Sequence, residues 1–283
     1  MKSSLSNMLS SSLAQVCIAR LRSNFSLVET RANRFTIAVI LFCLPFFAPL
    51  YHDIFRAYIT TPDMDLAVAS VVLNLNSGLS QPHYDHTGYV NFLLLSWWIK
   101  LGGIFGLIPA ADWKAVFASA DPEQAYAQVV VAGRFYSTLV AGIFSVVFYA
   151  CLRVLTENRF AALMGGLLFA VSYGLARQSL ILRPEMLSAL FVIAALFYLL
   201  KASQQTAVTG SATPIMAIAG AAVMLAMMTK LQTIFSLLLM PIVVILFGRN
   251  AAQDMRGKRF HVLNSETAVY AIAVAMFLVS KLL

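Results

Sequence analysis

Long apolar runs separated by short polar segments make up most of this chain. A helix needs about 20 apolar residues to cross the hydrocarbon core of a bilayer, and roughly 17 suffice. The runs, some of them a little shorter, predict seven transmembrane helices, over residues 34–51, 135–155, 160–176, 186–200, 214–228, 231–247 and 268–283. The last run is still apolar at Leu283, which predicts that the module is cut off within its last span.

One long apolar stretch has to break near its middle. As a single helix, residues 214–247 would be about 51 Å long at a rise of about 1.5 Å per residue. The hydrocarbon core of a bilayer is only ~30 Å thick. We therefore predict two helices, separated at Thr229-Lys230, where the stretch has its only charged residue.

The segment between the first two predicted spans, residues 51–133, is long and acidic. It carries seven Asp and Glu against three Lys and Arg. Its pattern predicts two helices, over residues 65–77 and 89–107. The first follows Thr61-Pro62-Asp63, a typical helix start, and closes at Asn76-Ser77-Gly78, a typical helix end.

Residues 89–107 are long enough to cross the membrane, but the distribution of charge argues against it. If they crossed, the basic loop at residues 249–259 would move outside, against the excess of Lys and Arg that cytoplasmic loops carry. We therefore predict a helix lying in the outer interface, where Trp97 and Trp98 are favoured. The long segment is then external, and residues 1–33 form a cytoplasmic amino-terminal segment.

Composition supports the class of protein that the pattern predicts. The chain has 283 residues, 60% of them hydrophobic and 11% charged, and its mean hydropathy is +0.80. A soluble domain needs more charge to cover its surface, so we predict an all-α integral membrane protein with a transmembrane module over residues 34–283. The net charge of +8 sets the topology and does not indicate nucleic-acid binding. Alanine-rich spans favour a bacterial inner membrane.

The predicted topology brings three polar groups to the outer face. They are Asp63 with Asp65, Arg183 with Glu185, and Lys230 at the predicted break. Charged residues so close to a bilayer are costly unless paired or solvated, which makes them functional candidates. The planar fork of Arg183 and the point charge of Lys230 suit an anionic lipid headgroup. Either aspartate could remove a proton from an acceptor hydroxyl.

Each of these residues also has a simpler interpretation. Acids at a helix start are commonly capping groups, which applies to the aspartate pair. Arg183 and Lys230 can reach from span ends to lipid headgroups without any specific role. Glu185 can be a local partner of Arg183. The functional interpretation predicts that neutral substitution of these residues impairs activity, and the simpler interpretations predict that it is tolerated.

Metal binding is the other chemistry that the polar residues suggest. His83, Asp85 and His86 lie together, but they are few ligands in a loop-like segment. The three cysteines are scattered and form neither a ligand pattern nor a disulfide pattern. We therefore predict no metal site and no certain cofactor, and leave a divalent cation open. His83, Asp85, His86 and Glu185 are given supporting roles.

The order of the motifs resembles that of the GT-C superfamily of membrane glycosyltransferases, with protein O-mannosyltransferases and the lipid A aminoarabinose transferase nearest in pattern. The motifs are Pro62-Asp63-Met64-Asp65, Asn76-Ser77-Gly78, His83-Tyr84-Asp85-His86, Gly133-Arg134-Phe135, Leu182-Arg183-Pro184-Glu185 and Met228-Thr229-Lys230. The resemblance implies a polyprenyl-phosphate sugar donor and a general base at Asp63 or Asp65. It also implies binding of the donor phosphate by Arg183 and Lys230, with Arg134 as a further ligand.

The function predicted from the sequence is transfer of a sugar from a polyprenyl-phosphate donor to an acceptor on the extracytoplasmic face. Membrane lipids are the other expected partners, and the acceptor and a partner subunit are left open. A secondary transporter or lipid flippase is the first competing class, and it would show charges near the bilayer midplane and an internal repeat. A noncatalytic membrane scaffold is the second, and it would tolerate neutral substitution of the outer acids and bases.

Overall fold

The computed structural model describes residues 31–51, 54–55, 57, 65–80, 88–156, 159–209, 212–234 and 240. Throughout these ranges the regular structure is helical, which confirms the predicted all-α class. The helices in chain order are α1 (Arg31–Tyr51), α2 (Ala67–Asn76), α3 (Tyr89–Ile104), α4 (Trp113–Ala118), α5 (Pro122–Thr156), α6 (Arg159–Ala170), α7 (Tyr173–Ser179), α8 (Pro184–Thr209) and α9 (Thr213–Thr229). A 3₁₀ turn, Leu231–Thr233, follows α9.

Two helices in the described ranges are long and apolar enough to cross a membrane, α5 and the Pro184–Gln205 part of α8. The pair α6 and α7, bent by 48° at a short break, makes a third candidate if the pair is one span. Shorter apolar helices lie at Asn33–Phe47 and in α9. These features indicate a membrane protein. The finer prediction of seven spans stays a prediction, because residues 241–283 lie outside the described part of the chain.

Helix α5 is longer than its apolar run predicts. It begins at Pro122 rather than at residue 135, and its 35 residues make it about 52 Å long, well beyond the ~30 Å core. Its start has the usual chemistry, because proline suits the first helical position and Asp121 Oδ1 accepts a hydrogen bond from Gln124 N at 3.0 Å. The polar first turns of α5 therefore extend past any bilayer core that its apolar part crosses.

Helices α2, α3 and α4 pack against these first turns of α5. The Tyr126 hydroxyl donates to Leu66 O at 2.7 Å, which ties α5 to the start of α2. Trp98 Nε1 on α3 donates to Ala132 O at 2.9 Å. The donor side chains of these two bonds are buried or half-buried. The described part of the segment between α1 and α5 is therefore a layer of helices packed on α5.

Helices α2 and α3 lie where the sequence predicts them. Helix α2 ends at Asn76, and Gly78 takes a φ of +72°, the left-handed conformation that favours glycine at such an end. Leu79 N closes the cap by donating to Asn74 O at 2.9 Å. Helix α3 starts at Tyr89 as predicted, whereas the short α4 was not predicted. The external, interfacial position of these helices stays a prediction.

Helices α1 and α5 come close together at Gly142. A Cβ added there would lie 2.7 Å from Phe42 O, a backbone atom that cannot move aside cheaply. We expect Gly142→Ala to lower the free energy of unfolding by about 1–3 kcal/mol, the usual cost of overpacking a filled core. Thermal unfolding of the purified protein in detergent measures the change.

The control for this substitution is Gly220→Ala on α9. Nothing lies within 4 Å of a Cβ added at Gly220, so this variant has the same gain in helix propensity without the clash. If both variants melted at the same temperature, the close approach of α1 and α5 would be contradicted.

Candidate functional site

Asp65 and Arg134 form an ion pair that is shielded from solvent, with both side chains 0% exposed. Asp65 Oδ2 accepts hydrogen bonds from Arg134 Nη2 at 2.7 Å and from Nε at 3.2 Å. The third guanidinium nitrogen, Nη1, donates to Ile54 O at 2.8 Å. All three nitrogens of Arg134 are thus used inside the protein, which is what a buried ion pair needs in order to offset its desolvation.

The other oxygen of Asp65 reaches the turn between α7 and α8. Asp65 Oδ1 accepts a hydrogen bond from Leu182 N at 3.0 Å, one residue before Arg183. The hydroxyl of Ser137 on α5 donates to Ile181 O in the same turn at 3.2 Å. The Asp65–Arg134 pair is therefore a junction that fixes the turn carrying Arg183 and Glu185 against α5.

Glu185 and Lys230 form a second, more accessible pair. Lys230 Nζ donates to Glu185 Oε1, and the side chains of Lys230 and Glu185 are 24% and 33% exposed. Both residues line an open cleft of about 320 Å³. The other residues that line this cleft are Phe144, Ser188, Ala189, Val192, Ile193, Gln232 and Thr233.

The cleft changes character along α8. Glu185 and Ser188 come from the first turns of the helix, and Ala189, Val192 and Ile193 follow them toward its middle. Because α8 rises about 1.5 Å per residue, the polar and the apolar residues from Glu185 to Ile193 are spread over about 12 Å of the helix. The arrangement suits an amphiphile with a polar head near Lys230 and an apolar chain against the wall of α8.

The end of α9 places Lys230 beside Glu185. Lys230 leaves the helix in an extended conformation, with φ −157° and ψ 119°, so the predicted break is present. Helix ends leave backbone carbonyls without helical partners. The carbonyl of Ala226 accepts hydrogen bonds from Lys230 N at 2.9 Å, from the Ser188 hydroxyl at 3.1 Å and from the Thr233 hydroxyl at 3.3 Å. These bonds join the break to the first turns of α8.

Unsatisfied polar atoms concentrate in this region. In the described ranges, three buried side-chain atoms have no hydrogen-bond partner: Gln178 Oε1, Arg183 Nε and Glu185 Oε2. All three belong to the stretch from α7 to the first turn of α8. A buried polar atom without a partner costs about 1–3 kcal/mol and is rare in folded proteins. Within the described part of the chain, the stretch from residue 178 to residue 185 is therefore where a ligand gains most by adding hydrogen bonds.

The structure divides the predicted site residues into three sets. Outside the described residues lie Asp63, His83, Asp85 and His86. Asp65 and Arg134 come together in the buried junction, and Glu185 and Lys230 come together at the cleft. Arg183 lies between the two pairs in the chain but does not line the cleft. The roles predicted for these residues stay predictions.

One alternative left open by the sequence can be compared with this geometry. Glu185 Oε1 takes its hydrogen bond from Lys230, 45 residues away, rather than from the neighbouring Arg183. The metal alternative concerned His83, Asp85 and His86 and stays open, because these residues lie outside the described part of the chain. Among the residues that the structure describes, no group of three or more His, Cys, Asp or Glu could hold an ion. The described charged residues that line the cleft are Glu185 and Lys230.

Sequence reasoning missed several residues of the cleft. Ser188 follows Glu185 at the i+3 position of α8, so helical spacing would have placed both on one face. Gln232 and Thr233 directly follow the predicted break, which was the signal for them. Phe144 lies in the middle of an apolar run and nothing in the sequence distinguishes it.

Comparisons with family models, with characterised proteins and with solved structures find no match. The likeness to the GT-C superfamily therefore rests on the order of the motifs in the sequence. The geometry of the cleft is an independent observation.

Proposed function

We propose that this protein is an integral membrane glycosyltransferase of about seven transmembrane helices. It moves a sugar from a polyprenyl-phosphate donor to an acceptor on the extracytoplasmic face of the membrane. The observation that supports this function most is the amphiphilic cleft between α5, α8 and the break after α9. It combines a lysine and a glutamate at a broken helix with an apolar wall made by Phe144, Val192 and Ile193.

In the proposed complex the donor phosphate lies near Lys230, and the first isoprene units lie against the apolar wall of the cleft. Arg183 supplies a second positive charge from the adjoining turn, and its Nε has an unused donor. A donor phosphodiester carries one negative charge. Arg183, Lys230 and Glu185 together carry a net charge of about +1, which the phosphodiester neutralises.

The reaction needs a base for the acceptor. In the proposed step Asp63 takes the proton of an acceptor hydroxyl, and the acceptor oxygen bonds to the anomeric carbon. The bond from that carbon to the phosphate oxygen breaks, and polyprenyl phosphate leaves with both electrons of that bond. We assign the base to Asp63 rather than Asp65, because both carboxylate oxygens of Asp65 are engaged in the buried junction.

Binding of lipid phosphate is the first test of this function. We expect undecaprenyl phosphate and its glycosyl phosphodiesters to bind the purified protein, and Lys230→Ala to weaken binding by roughly tenfold or more, the effect of losing one charge-assisted hydrogen bond. Native mass spectrometry of the full chain in detergent measures both.

The matched control is Lys114→Ala, because Lys114 is exposed on α4 and does not line the cleft. Equal binding by the wild type, Lys230→Ala and Lys114→Ala would contradict the assignment of the cleft to the donor phosphate.

The charged pair at a broken helix also favours a second function, because secondary transporters place ion sites at such breaks. A lipid flippase would bind the same donor and carry it across the bilayer unchanged. The two functions are separated by the fate of the donor in membranes that contain the protein. A transferase releases undecaprenyl phosphate from the glycosyl phosphodiester, and a flippase moves the intact lipid between leaflets.

A further inference from the structure

The two carboxylate oxygens of Glu185 differ in their surroundings. Oε1 accepts a hydrogen bond from Lys230 Nζ. Oε2 is buried and has no hydrogen-bond partner among the described residues, although Glu185 lines the open cleft. An ionised carboxylate has about four lone-pair sites for donors. Glu185, which lines the cleft, therefore has one carboxylate oxygen that holds the lysine and a second, buried oxygen that is an unused acceptor.

The charge of Glu185 and its free oxygen affect whether a phosphate monoester or a phosphodiester binds more tightly. Lys230 is already partly neutralised by Glu185, so a phosphate at Lys230 is attracted by the lysine and repelled by the glutamate. A phosphate monoester carries about −1.5 to −2 charges near neutral pH, so both its attraction to Lys230 and its repulsion by Glu185 are stronger than those of a phosphodiester. The nearly neutral pair therefore removes most of the advantage that the extra charge would have at a lysine alone. A phosphodiester carries one charge, and a hydrogen-bond donor next to it can occupy the free oxygen.

We propose that Glu185 is a specificity-determining residue that selects the sugar-charged lipid over the bare lipid phosphate. Glu185 Oε2 accepts a hydrogen bond from the hydroxyl or amino group on the sugar carbon next to the anomeric carbon. In glucosyl, mannosyl and arabinosyl phosphodiesters that group is a hydroxyl, on the carbon next to the one that bears the phosphate. This inference rests on the proposed function. It adds that the site favours the donor over the product, which helps the product to leave after transfer.

The test compares the affinities of the full-length protein for several lipids. The probes are undecaprenyl phosphate, its glucosyl, mannosyl and arabinosyl phosphodiesters, the 2-deoxyglucosyl phosphodiester, and phosphatidylglycerol. The variants are Glu185→Gln and, as the matched control, Glu123→Gln, because Glu123 is exposed in the first turn of α5.

We expect the wild type and Glu123→Gln to prefer the glycosyl phosphodiesters, the glucosyl lipid included, over undecaprenyl phosphate by roughly tenfold or more, the size of one hydrogen bond to a charged acceptor. Glu185→Gln removes the negative charge and with it the repulsion. The ratio of the affinity for the glycosyl lipid to the affinity for undecaprenyl phosphate should therefore fall toward one, mainly because undecaprenyl phosphate binds more tightly. The 2-deoxyglucosyl lipid should lose the advantage of the glucosyl lipid on the wild type, a comparison that needs no variant.

Three results would overturn the inference. They are an unchanged preference in Glu185→Gln, equal binding of the glucosyl and 2-deoxyglucosyl lipids, and binding of phosphatidylglycerol as tight and as sensitive to Glu185→Gln as that of the glycosyl lipids. The last result would mean that the cleft takes ordinary phospholipid headgroups. A different result would contradict the proposed function itself. That result is that Lys230→Ala leaves the binding of every undecaprenyl lipid unchanged.

Discussion

Replacing Arg134 by Met should lower the free energy of unfolding by about 3–5 kcal/mol, because it leaves the buried Asp65 carboxylate without the guanidinium that pairs with it. The variant also removes the bond from Arg134 Nη1 to Ile54 O. Thermal unfolding of the purified protein in detergent measures the loss. Asp65→Asn alone should be destabilising for the converse reason, since the guanidinium then loses the Asp65 carboxylate.

The double variant Asp65→Asn with Arg134→Met separates the ion pair from simple packing. It removes both charges of the Asp65–Arg134 pair, and the side-chain oxygen of the introduced asparagine can still accept from Leu182 N. We expect the double variant to lose less stability than the sum of the two single variants, as a double-mutant cycle measures. Arg177→Met is the control, because Arg177 is exposed on α7. If Arg134→Met melted together with Arg177→Met, the junction would not have the structural role given to it.

Replacing Asp63 by Asn should reduce sugar transfer by about 10²–10⁴-fold, the usual contribution of a general base. Binding of the glycosyl phosphodiester should be unchanged, because the proposed phosphate site is at Lys230 and not at Asp63. Transfer is measured as release of undecaprenyl phosphate from radiolabelled donor in membranes from cells that produce the protein. In the same assay, the transfer rate of Asp65→Asn should fall only in proportion to the loss of folded protein.

Asp121→Asn is the matched control for Asp63→Asn. Asp121 caps α5 through a bond to Gln124 N, and Asn caps a helix as well as Asp does, so this variant should transfer at the wild-type rate. Full activity of Asp63→Asn would exclude Asp63 as the base. Loss of activity together with loss of donor binding would place Asp63 in the binding site instead.

Most helices of this protein could be predicted from local sequence, but only some of the residues at which they begin and end could be. The cap at Asn76-Ser77-Gly78 and the break at Lys230 are local signals, and both are present. The start of α5 at Pro122 was missed because an apolar window does not detect a polar extension, although Asp121-Pro122 is itself a helix-start signal. The bend between α6 and α7 interrupts a run whose hydropathy predicts one span.

The pairing of charges is less accessible to sequence reasoning. Asp65 and Arg134 are 69 residues apart, and Glu185 and Lys230 are 45 apart. Which acid meets which base depends on how α5 and α8 pack against the helices before and after them. The pairing of Glu185 with Arg183, which the sequence left open, is the local one, and tertiary packing gives Glu185 Oε1 a different partner, Lys230. The residues of the cleft are brought together by the same packing.

Photo-crosslinking tests the central claim, that the cleft between α5, α8 and the break after α9 holds a polyprenyl phosphate. The probe is a polyprenyl phosphate with a photoreactive group in its first isoprene units, added to the full-length protein in membranes. We expect adducts on the peptides that contain Phe144 and Val192, lost when unlabelled undecaprenyl phosphate competes and lost in Lys230→Ala. Adducts that spread over the lipid-facing helices and are unaffected by either change would contradict the account.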